Sequence, residues 1–180
     1  MILIKLIQLK RKLKEKKDIN RLLKVSKIID YFVFANASFE VFKEFIKRWE
    51  DDEKNADSKA ESAILGMYAN GKICLDIAKS INQGITDKDL GKIRIGKQDW
   101  VKHFSNFRND ATAHPINNNA NYFSFVFGLR NRPPYMTMQL LNQSTLNEIK
   151  SYQIDPSFDI KNLYNYLESL AEIYERNFGV

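Results

Sequence analysis

The sequence predicts a mostly α-helical fold: an up-and-down bundle of about five to seven helices with a β-hairpin inserted near residues 122–141. Three observations lead to this prediction. Only 7 glycines and 4 prolines occur in 180 residues, which favours long helices. Over most of the chain, apolar residues recur at spacings of three and four, as in helices with one buried face. Between residues 122 and 141 the spacing changes to two, which is typical of strands.

The N-terminal segment, residues 1–17, is predicted to be a basic amphipathic arm that precedes a helical domain of residues 18–180. One helical stripe of the arm is apolar and consists of Ile2, Leu6, Leu9 and Leu13. Residues 1–27 hold ten Lys or Arg and two Asp or Glu, a local charge of +8. Because the whole chain carries +6, residues 28–180 sum to −2. The high pI therefore belongs to the N-terminal segment.

Two helices are predicted between this arm and residue 50. Asp18 or Asn20 is expected to cap the first. Its inward face is predicted to consist of Ile19, Leu22, Leu23, Ile29 and Phe32. Ser38 is expected to cap the second. The buried side of that helix is predicted to consist of Phe42, Phe45, Ile46 and Trp49.

A long central helix is predicted from about Asp57–Ser58 to about Gly84. Its apolar positions follow a regular 4-3 spacing and are Ala60, Ile64, Met67, Gly71, Cys74, Ala78 and Ile81. Four of these seven residues are small, and small residues on a helix face let a partner helix approach closely. We therefore expect this helix to lie at the centre of the bundle.

A stretch that contains glycine, residues 84–96, leads to a predicted helix of roughly 97–113. Its buried stripe is predicted to be Trp100, Phe104, Phe107 and Ala111. Pro115 ends this helix, because the residue before a proline is disfavoured in the α conformation.

The predicted hairpin combines two alternating apolar runs. They are Phe123, Phe125, Phe127 and Leu129, followed by Met136, Met138 and Leu140. The loop between them is predicted to be Arg130 to Pro134. A short helix is expected after Ser144, and a last helix from about Asp159 to Asn177, ended by Gly179. The apolar face of the last helix is predicted to be Ile160, Leu163, Tyr164, Leu167, Leu170, Ala171 and Tyr174.

Several protein classes are excluded by composition. The one cysteine, Cys74, excludes an internal disulfide and a multi-cysteine zinc site. No apolar run approaches the roughly 20 residues of a membrane span, and the N-terminal residues lack the pattern of a signal peptide. We therefore expect a soluble cytoplasmic protein. The acidic run Glu50 to Glu53 is interpreted as a solvated loop, and no metal or other cofactor is expected.

Residues 107–115, FRNDATAHP, are the segment best suited to chemistry. The planar guanidinium of Arg108 suits a phosphate. The imidazole of His114 is the type of side chain best able to transfer protons near neutral pH. Together they suit attack of a ribose 2′-hydroxyl on the adjacent phosphate. The alternative is structural: His114 near the last carbonyls of a helix and Arg108 in a surface salt bridge.

The sequence Arg108, Asn109 and, five residues later, His114 resembles the signature of the HEPN superfamily (higher eukaryotes and prokaryotes nucleotide-binding domains). The resemblance implies a helical bundle that acts as a homodimer, with motifs of both subunits in one cleft. It also implies a metal-independent RNase, often a toxin or antiviral effector, whose partner is an antitoxin or regulatory protein. Other members are inactive and bind a nucleotidyltransferase-like or regulatory partner, which is the alternative function. A dimeric scaffold with a coincidental motif is a third.

In the catalytic interpretation, His114 is a general acid or base, Arg108 stabilises the scissile phosphate, and Asn109 orients either group. The side chains expected to bind RNA are Lys10, Arg11, Lys12 and Lys14 in the arm and Arg130 and Arg132 in the hairpin loop. For the arm, we expect the apolar stripe to pack against the body of the protein or a partner chain while the basic face binds RNA; binding to an anionic membrane is the disfavoured alternative. For the hairpin, packing against the bundle or a second subunit is the alternative. His103 is interpreted as a half-buried or surface histidine without a catalytic role.

Overall fold

The computed structural model describes residues 2–49, 57–93, 98–107, 121–127, 136–142, 145 and 148–179. Its α-helices are α1 (Ile2–Glu15), α2 (Ile19–Trp49), α3 (Asp57–Asn82), α4 (Asp87–Leu90), α5 (Asp99–Phe107) and α6 (Pro156–Phe178). A 3₁₀ turn, Gly91–Ile93, follows α4. The strands are β1 (Asn121–Phe127), β2 (Met136–Asn142) and β3 (Glu148–Ile154). The predicted fold class, mostly helical with an inserted hairpin, is confirmed.

Successive long helices run in opposite directions. Ile28 and Ser38 of α2 lie beside Cys74 and Gly66 of α3, so these two helices are antiparallel. On α6, Asp159 meets His103 of α5 at 2.9 Å. The Trp100 and Tyr166 ring centroids lie 5.9 Å apart, which makes α5 and α6 antiparallel as well. Tyr68 of α3 also reaches Asp159, whereas Tyr174 of α6 reaches Ala78, so α3 and α6 are parallel. The described part is therefore an up-and-down bundle.

The first helix is part of this bundle. Leu6, Leu9 and Leu13 of α1 are each at most 1 % exposed and belong to the common hydrophobic core. A Schellman motif ends α1: the Lys17 N–H donates to the Lys14 carbonyl, and the Asp18 N–H donates to the Leu13 carbonyl. Lys17 has a φ of 58° in this turn. The predicted packing of the apolar stripe is confirmed at these three leucines.

Residues 19–49 form one helix, so the predicted helix start at Ser38 is wrong. Asp18 is the cap, as predicted, since its carboxylate accepts from the Arg21 N–H at 3.2 Å. The buried stripe of α2 repeats at spacings of three and four without a break and comprises Val25, Ile28, Phe32, Ala35, Phe39 and Phe42. This continuous packing outweighs the local preference of serine for a cap. Ile19 and Leu23, predicted to face inward, are more than half exposed.

The predicted seam of α3 is confirmed at all seven positions, each of which is buried. Its small residues allow neighbouring helices to approach. A Cβ atom on Gly71 would lie well inside 3.0 Å of the Phe104 ring of α5. The ring of Phe104 therefore occupies space that any other residue at position 71 would fill.

Helices α5 and α6 agree with their predicted faces. Trp100 and Phe104 are buried, and the helix begins at Asp99 and is described to Phe107. The predicted part of this helix beyond 107 lies outside the described residues. On α6 the predicted apolar residues are buried, except that Tyr164 is partly exposed. The helix begins earlier than predicted, because Asp155 caps it and Pro156 follows, and Gly179 ends it with a φ of 62°.

The three strands form one antiparallel sheet in the order β1-β2-β3. Phe127 pairs with Met136, and Asn121 pairs with Asn142, which confirms the hairpin. The predicted loop, Arg130 to Pro134, lies outside the described residues. The short helix expected after Ser144 is wrong: Glu148–Ile154 is a strand, because the free edge of β2 supplies it with backbone hydrogen bonds. In the part of the chain that is described, no helix is long and apolar enough to cross a membrane.

Replacing Gly71 by alanine should destabilise the protein. Overpacking a filled core costs about 1–3 kcal/mol, which exceeds the gain of about 1 kcal/mol from higher helix propensity. We expect the free energy of unfolding, measured in urea, to fall by about 1–2 kcal/mol. Gly66→Ala, in the same helix, is the matched control, since the added Cβ meets only the Ser38 side chain, whose hydroxyl at 2.8 Å can rotate away and whose Cβ at 3.4 Å is at an ordinary contact distance. Equal effects of the two substitutions would contradict the proposed packing.

Candidate functional site

The predicted catalytic residues follow α5 directly in the sequence. Arg108, Asn109 and His114 lie outside the described residues, as do Arg130 and Arg132 of the hairpin loop. The structure therefore describes the helix that leads to the motif. The surroundings of that helix define the candidate site.

Aromatic side chains anchor α5 to the bundle core. The Tyr68 and Phe104 rings lie 5.0 Å apart, and the Trp100 ring lies 5.9 Å from both Phe104 and Tyr166. These rings come from α3, α5 and α6, and all four residues are less than 10 % exposed. Aromatic pairs at such distances add stabilisation beyond the burial of their area. The helix that precedes the motif is therefore held at a fixed position by the nine residues that are described.

Beside this aromatic cluster, Tyr68, His103 and Asp159 form a hydrogen-bonded triad. The Tyr68 hydroxyl donates to Asp159 Oδ2 at 2.6 Å. His103 Nδ1 lies 2.9 Å from Asp159 Oδ2 and 3.2 Å from Oδ1. The carboxylate is fully buried, whereas the imidazole side chain is 30 % exposed. A buried carboxylate thus links the protein core to an accessible histidine.

The electrostatics of the triad follow from this burial. The hydrogen bond to Asp159 is the main reason that the pKa of His103 is raised, and partial burial opposes it. Burial, together with the neighbouring carboxylate, raises the pKa of Tyr68 well above its ordinary value. Asp159 lies in the first turn of α6, where the helix dipole favours a negative charge. The contacts with the imidazole and the phenol, together with the helix N-terminus, compensate the buried carboxylate.

Only one of the two imidazole nitrogens of His103 takes part in the triad. Nδ1 is engaged by Asp159, and Nε2 makes no hydrogen bond to another described residue. A carboxylate bound to one ring nitrogen fixes the tautomer of the imidazole and the direction in which the second nitrogen points. A nitrogen held in this way is suited to proton transfer. This cluster was not predicted from the sequence, in which His103 is interpreted as having no catalytic role. Its members are separated by 91 and 56 positions, and no local spacing signals the arrangement.

Part of the basic surface of α1 is used within the protein. Lys5 Nζ lies 2.5 Å from Glu172 and 3.5 Å from Glu168, and Lys12 Nζ lies 3.0 Å from Glu175. All three acidic residues belong to α6. The exposed basic side chains of α1 that make no ion pair with a described residue are Lys10, Arg11 and Lys14. Of the four residues of α1 predicted to bind RNA, three thus remain available.

The basic residues of α1 lie far from the triad. Lys5 pairs with Glu172 and Lys12 with Glu175, so α1 and α6 are parallel. Glu175 follows Asp159 by sixteen residues, which is about 24 Å along a helix. Within one chain, the predicted basic patch and the triad therefore lie toward opposite ends of α6.

A second buried polar network has a structural role. Tyr174 donates to the Asn82 side-chain oxygen at 2.7 Å, and the Asn82 amide donates to the Tyr166 hydroxyl at 3.2 Å.

Every buried side-chain nitrogen and oxygen in the described ranges has a partner. Within the same ranges, no three His, Cys, Asp or Glu side chains form a group that could hold a metal ion.

Comparisons of the chain with models of protein families, with curated proteins and with solved structures found no match.

We expect His103 to stabilise the folded protein more at low pH than at high pH. Its folded-state pKa is raised above the ordinary value of 6.5, so its contribution is complete below that value. The contribution is lost as the pH rises through the folded-state pKa. Urea unfolding of the parent and of His103→Gln at about pH 5.5 and about pH 8.5 measures this difference. Because all other groups titrate in both proteins, a gap that is unchanged or wider at the higher pH would contradict the assignment.

Proposed function

We propose that the protein is a metal-independent endoribonuclease of the HEPN type. The observation that carries the proposal is the sequence Arg108-Asn109 followed by His114, directly after α5. The described geometry supports it in one respect. Helix α5, which directly precedes the motif in the sequence, is anchored in the core by Trp100 and Phe104, and a rigid neighbouring element helps to position a site.

In the proposed reaction, an RNA 2′-hydroxyl attacks the adjacent phosphorus. The 2′-oxygen loses its proton and forms a bond to phosphorus, while the bond from phosphorus to the 5′-oxygen breaks and that oxygen gains a proton. His114 transfers one of these protons, Arg108 neutralises the charge that develops on the phosphate, and Asn109 orients either group. The products are a 2′,3′-cyclic phosphate and a 5′-hydroxyl.

The biological setting is proposed from the resemblance. The protein acts as a homodimer in the cytoplasm, as a toxin or antiviral defence effector held in check by an antitoxin or regulatory protein. No cofactor takes part. A two-fold dimer brings two copies of His114 into one cleft.

The second candidate is a catalytically silent HEPN module that binds a nucleotidyltransferase-like or regulatory partner. One described feature favours it. Helix α2 carries the exposed apolar side chains Val33, Phe34 and Val41, and exposed apolar groups are common where proteins associate. A silent module binds its partner through such a face without cleaving RNA.

Purified protein should cleave RNA in the presence of EDTA. We expect His114→Ala and Arg108→Ala to reduce the rate by about 100-fold or more, because each removes a group that acts in the transition state. The assay follows fragment size and the 5′-hydroxyl ends. A 2′-deoxy substrate is the chemical control, and Lys47→Ala, at an exposed position of α2, is the protein control. Loss of cleavage in EDTA, or full activity of both variants, would refute the proposal.

The free cations of α1 should contribute to RNA affinity and to its salt dependence. Each neutralised phosphate of a single strand contributes about 0.7 to the slope of log affinity against log salt. We therefore expect the triple variant Lys10→Gln, Arg11→Gln and Lys14→Gln to lower this slope by up to about 2. Binding is measured with 2′-O-methyl RNA, which cannot be cleaved. Lys12→Gln, which breaks an internal ion pair, is the matched control. An unchanged slope in the triple variant would exclude α1 from the RNA interface.

A further inference from the structure

We propose that His103 is a second proton-transferring residue of the RNA site, supplied by the same chain as His114 and oriented by Asp159. This inference rests on the proposed function. It assigns the general acid and the general base to the two histidines of one chain. The pair of His114 residues from two subunits is then not needed for proton transfer.

The orientation of the His103 ring is fixed by its neighbours. Asp159 holds Nδ1 with both carboxylate oxygens, at 2.9 and 3.2 Å. The Tyr68 hydroxyl in turn holds that carboxylate at 2.6 Å. Rotation of the imidazole about its side-chain bonds would break these contacts. Nε2 therefore points in one direction, as a proton-transferring group requires.

The His103 imidazole is accessible to solvent, whereas its partner carboxylate is not. The Asp159 side chain is fully buried, but 30 % of the His103 side chain is accessible. The accessible imidazole lies at the surface end of a chain of hydrogen bonds that begins in the core. An acid or base must exchange its proton with substrate and solvent. The exposed part of the His103 ring permits that exchange, while the Asp159 carboxylate stays shielded from water.

Chain geometry limits the distance between His103 and Arg108. Phe107 lies one helical turn beyond His103, and Arg108 is the next residue in the chain. One turn and one peptide unit keep the Cα atoms of His103 and Arg108 within about 10 Å of each other. Histidine and arginine side chains that start this close can contact the same phosphodiester. The described RNA-binding candidates of α1, by contrast, lie at the other end of α6.

The reaction needs two proton-transferring groups. One group must accept the 2′-hydroxyl proton and another must donate a proton to the departing 5′-oxygen. The chain has two histidines in all. The contact of Nδ1 with the Asp159 carboxylate favours the protonated form of the His103 ring, which suits the donor, so His114 is left as the acceptor. Among the described residues, the titratable groups that face His103 are Asp159 from α6 and the more weakly acting Asp99 from its own helix, while Tyr68 from α3 reaches it through Asp159.

The decisive experiment measures cleavage of two substrates by full-length protein. One is ordinary RNA, and the other carries sulfur in place of the 5′-bridging oxygen at the scissile bond. A thiolate leaves without protonation, because thiols are far stronger acids than alcohols. We expect His103→Gln to slow cleavage of the ordinary RNA by about 100-fold or more and to leave cleavage of the sulfur substrate nearly at the parent rate. Equal losses on both substrates, or no loss on either, would overturn the inference.

The pH profile tests the positioning role of Asp159. We expect a bell-shaped rate profile in the parent, whose alkaline limb reports the proton donor. Asp159→Asn should move that limb to lower pH, because the neutral amide no longer favours the imidazolium. Tyr68→Phe is the matched variant: it disturbs the same carboxylate but keeps the pair of His103 and Asp159, so the limb is retained. An alkaline limb that does not move in Asp159→Asn contradicts the positioning role.

Failure of this inference is distinguishable from failure of the proposed function. If the parent does not cleave RNA, both are wrong. If the parent cleaves, His114→Ala does not, and His103→Gln retains the parent profile, only the assignment of His103 is wrong. Should His103→Gln be unfolded, the parent itself provides the test through the NMR signals of the His103 ring. Bound 2′-O-methyl RNA is expected to shift them, and unchanged signals would overturn the inference.

Discussion

Close packing against the small residues of α3 is the constraint on which the rest of the structure depends. Gly66 admits α2 at Ser38, and Gly71 admits the ring of Phe104 from α5. Because His103 precedes Phe104, the depth at which that ring sits also decides where the imidazole lies. The missing side chain at position 71 thus connects the core to the contact between His103 and Asp159. A bundle with larger residues along α3 would hold α5 farther out and separate these two groups.

The sequence predicts the elements in which periodicity is strict and fails where tertiary contacts decide. All seven seam positions of α3 are buried as predicted, because a 4-3 spacing fits only one helical face. The helix start predicted at Ser38 is wrong because the preference of serine for a cap is local, whereas the buried apolar stripe of α2 continues on both sides of Ser38. Strand β3 forms because it pairs with the edge of β2, and the sequence of residues 148–154 alone carries no sign of that partner. The triad could not be predicted, because each member has an ordinary local explanation and the members meet only in the fold.

Net charge gives an incomplete guide to nucleic-acid binding in this protein. The excess of lysine near the N-terminus suggests a surface devoted to phosphates, yet Lys5 and Lys12 neutralise glutamates of α6. Such exposed pairs contribute little stability individually, but several along one interface help to set the register of two parallel helices. Charge that is matched inside a protein is unavailable to a polyanion. The electrostatic contribution to RNA binding must therefore be counted from unpaired side chains, not from composition.

The contact between α1 and α6 has a consequence for the order of folding. These helices are far apart in the sequence, and the ion pairs between them join residues more than 160 positions apart. As the ribosome releases the polypeptide, α1 emerges before α2 and can associate with it, but the remaining apolar side of α1 has no partner until α6 emerges. Such long-range closure slows folding relative to helical proteins with mainly local contacts. During synthesis the nascent chain consequently exposes the apolar side of α1 that α6 later covers, and chaperones bind such surfaces.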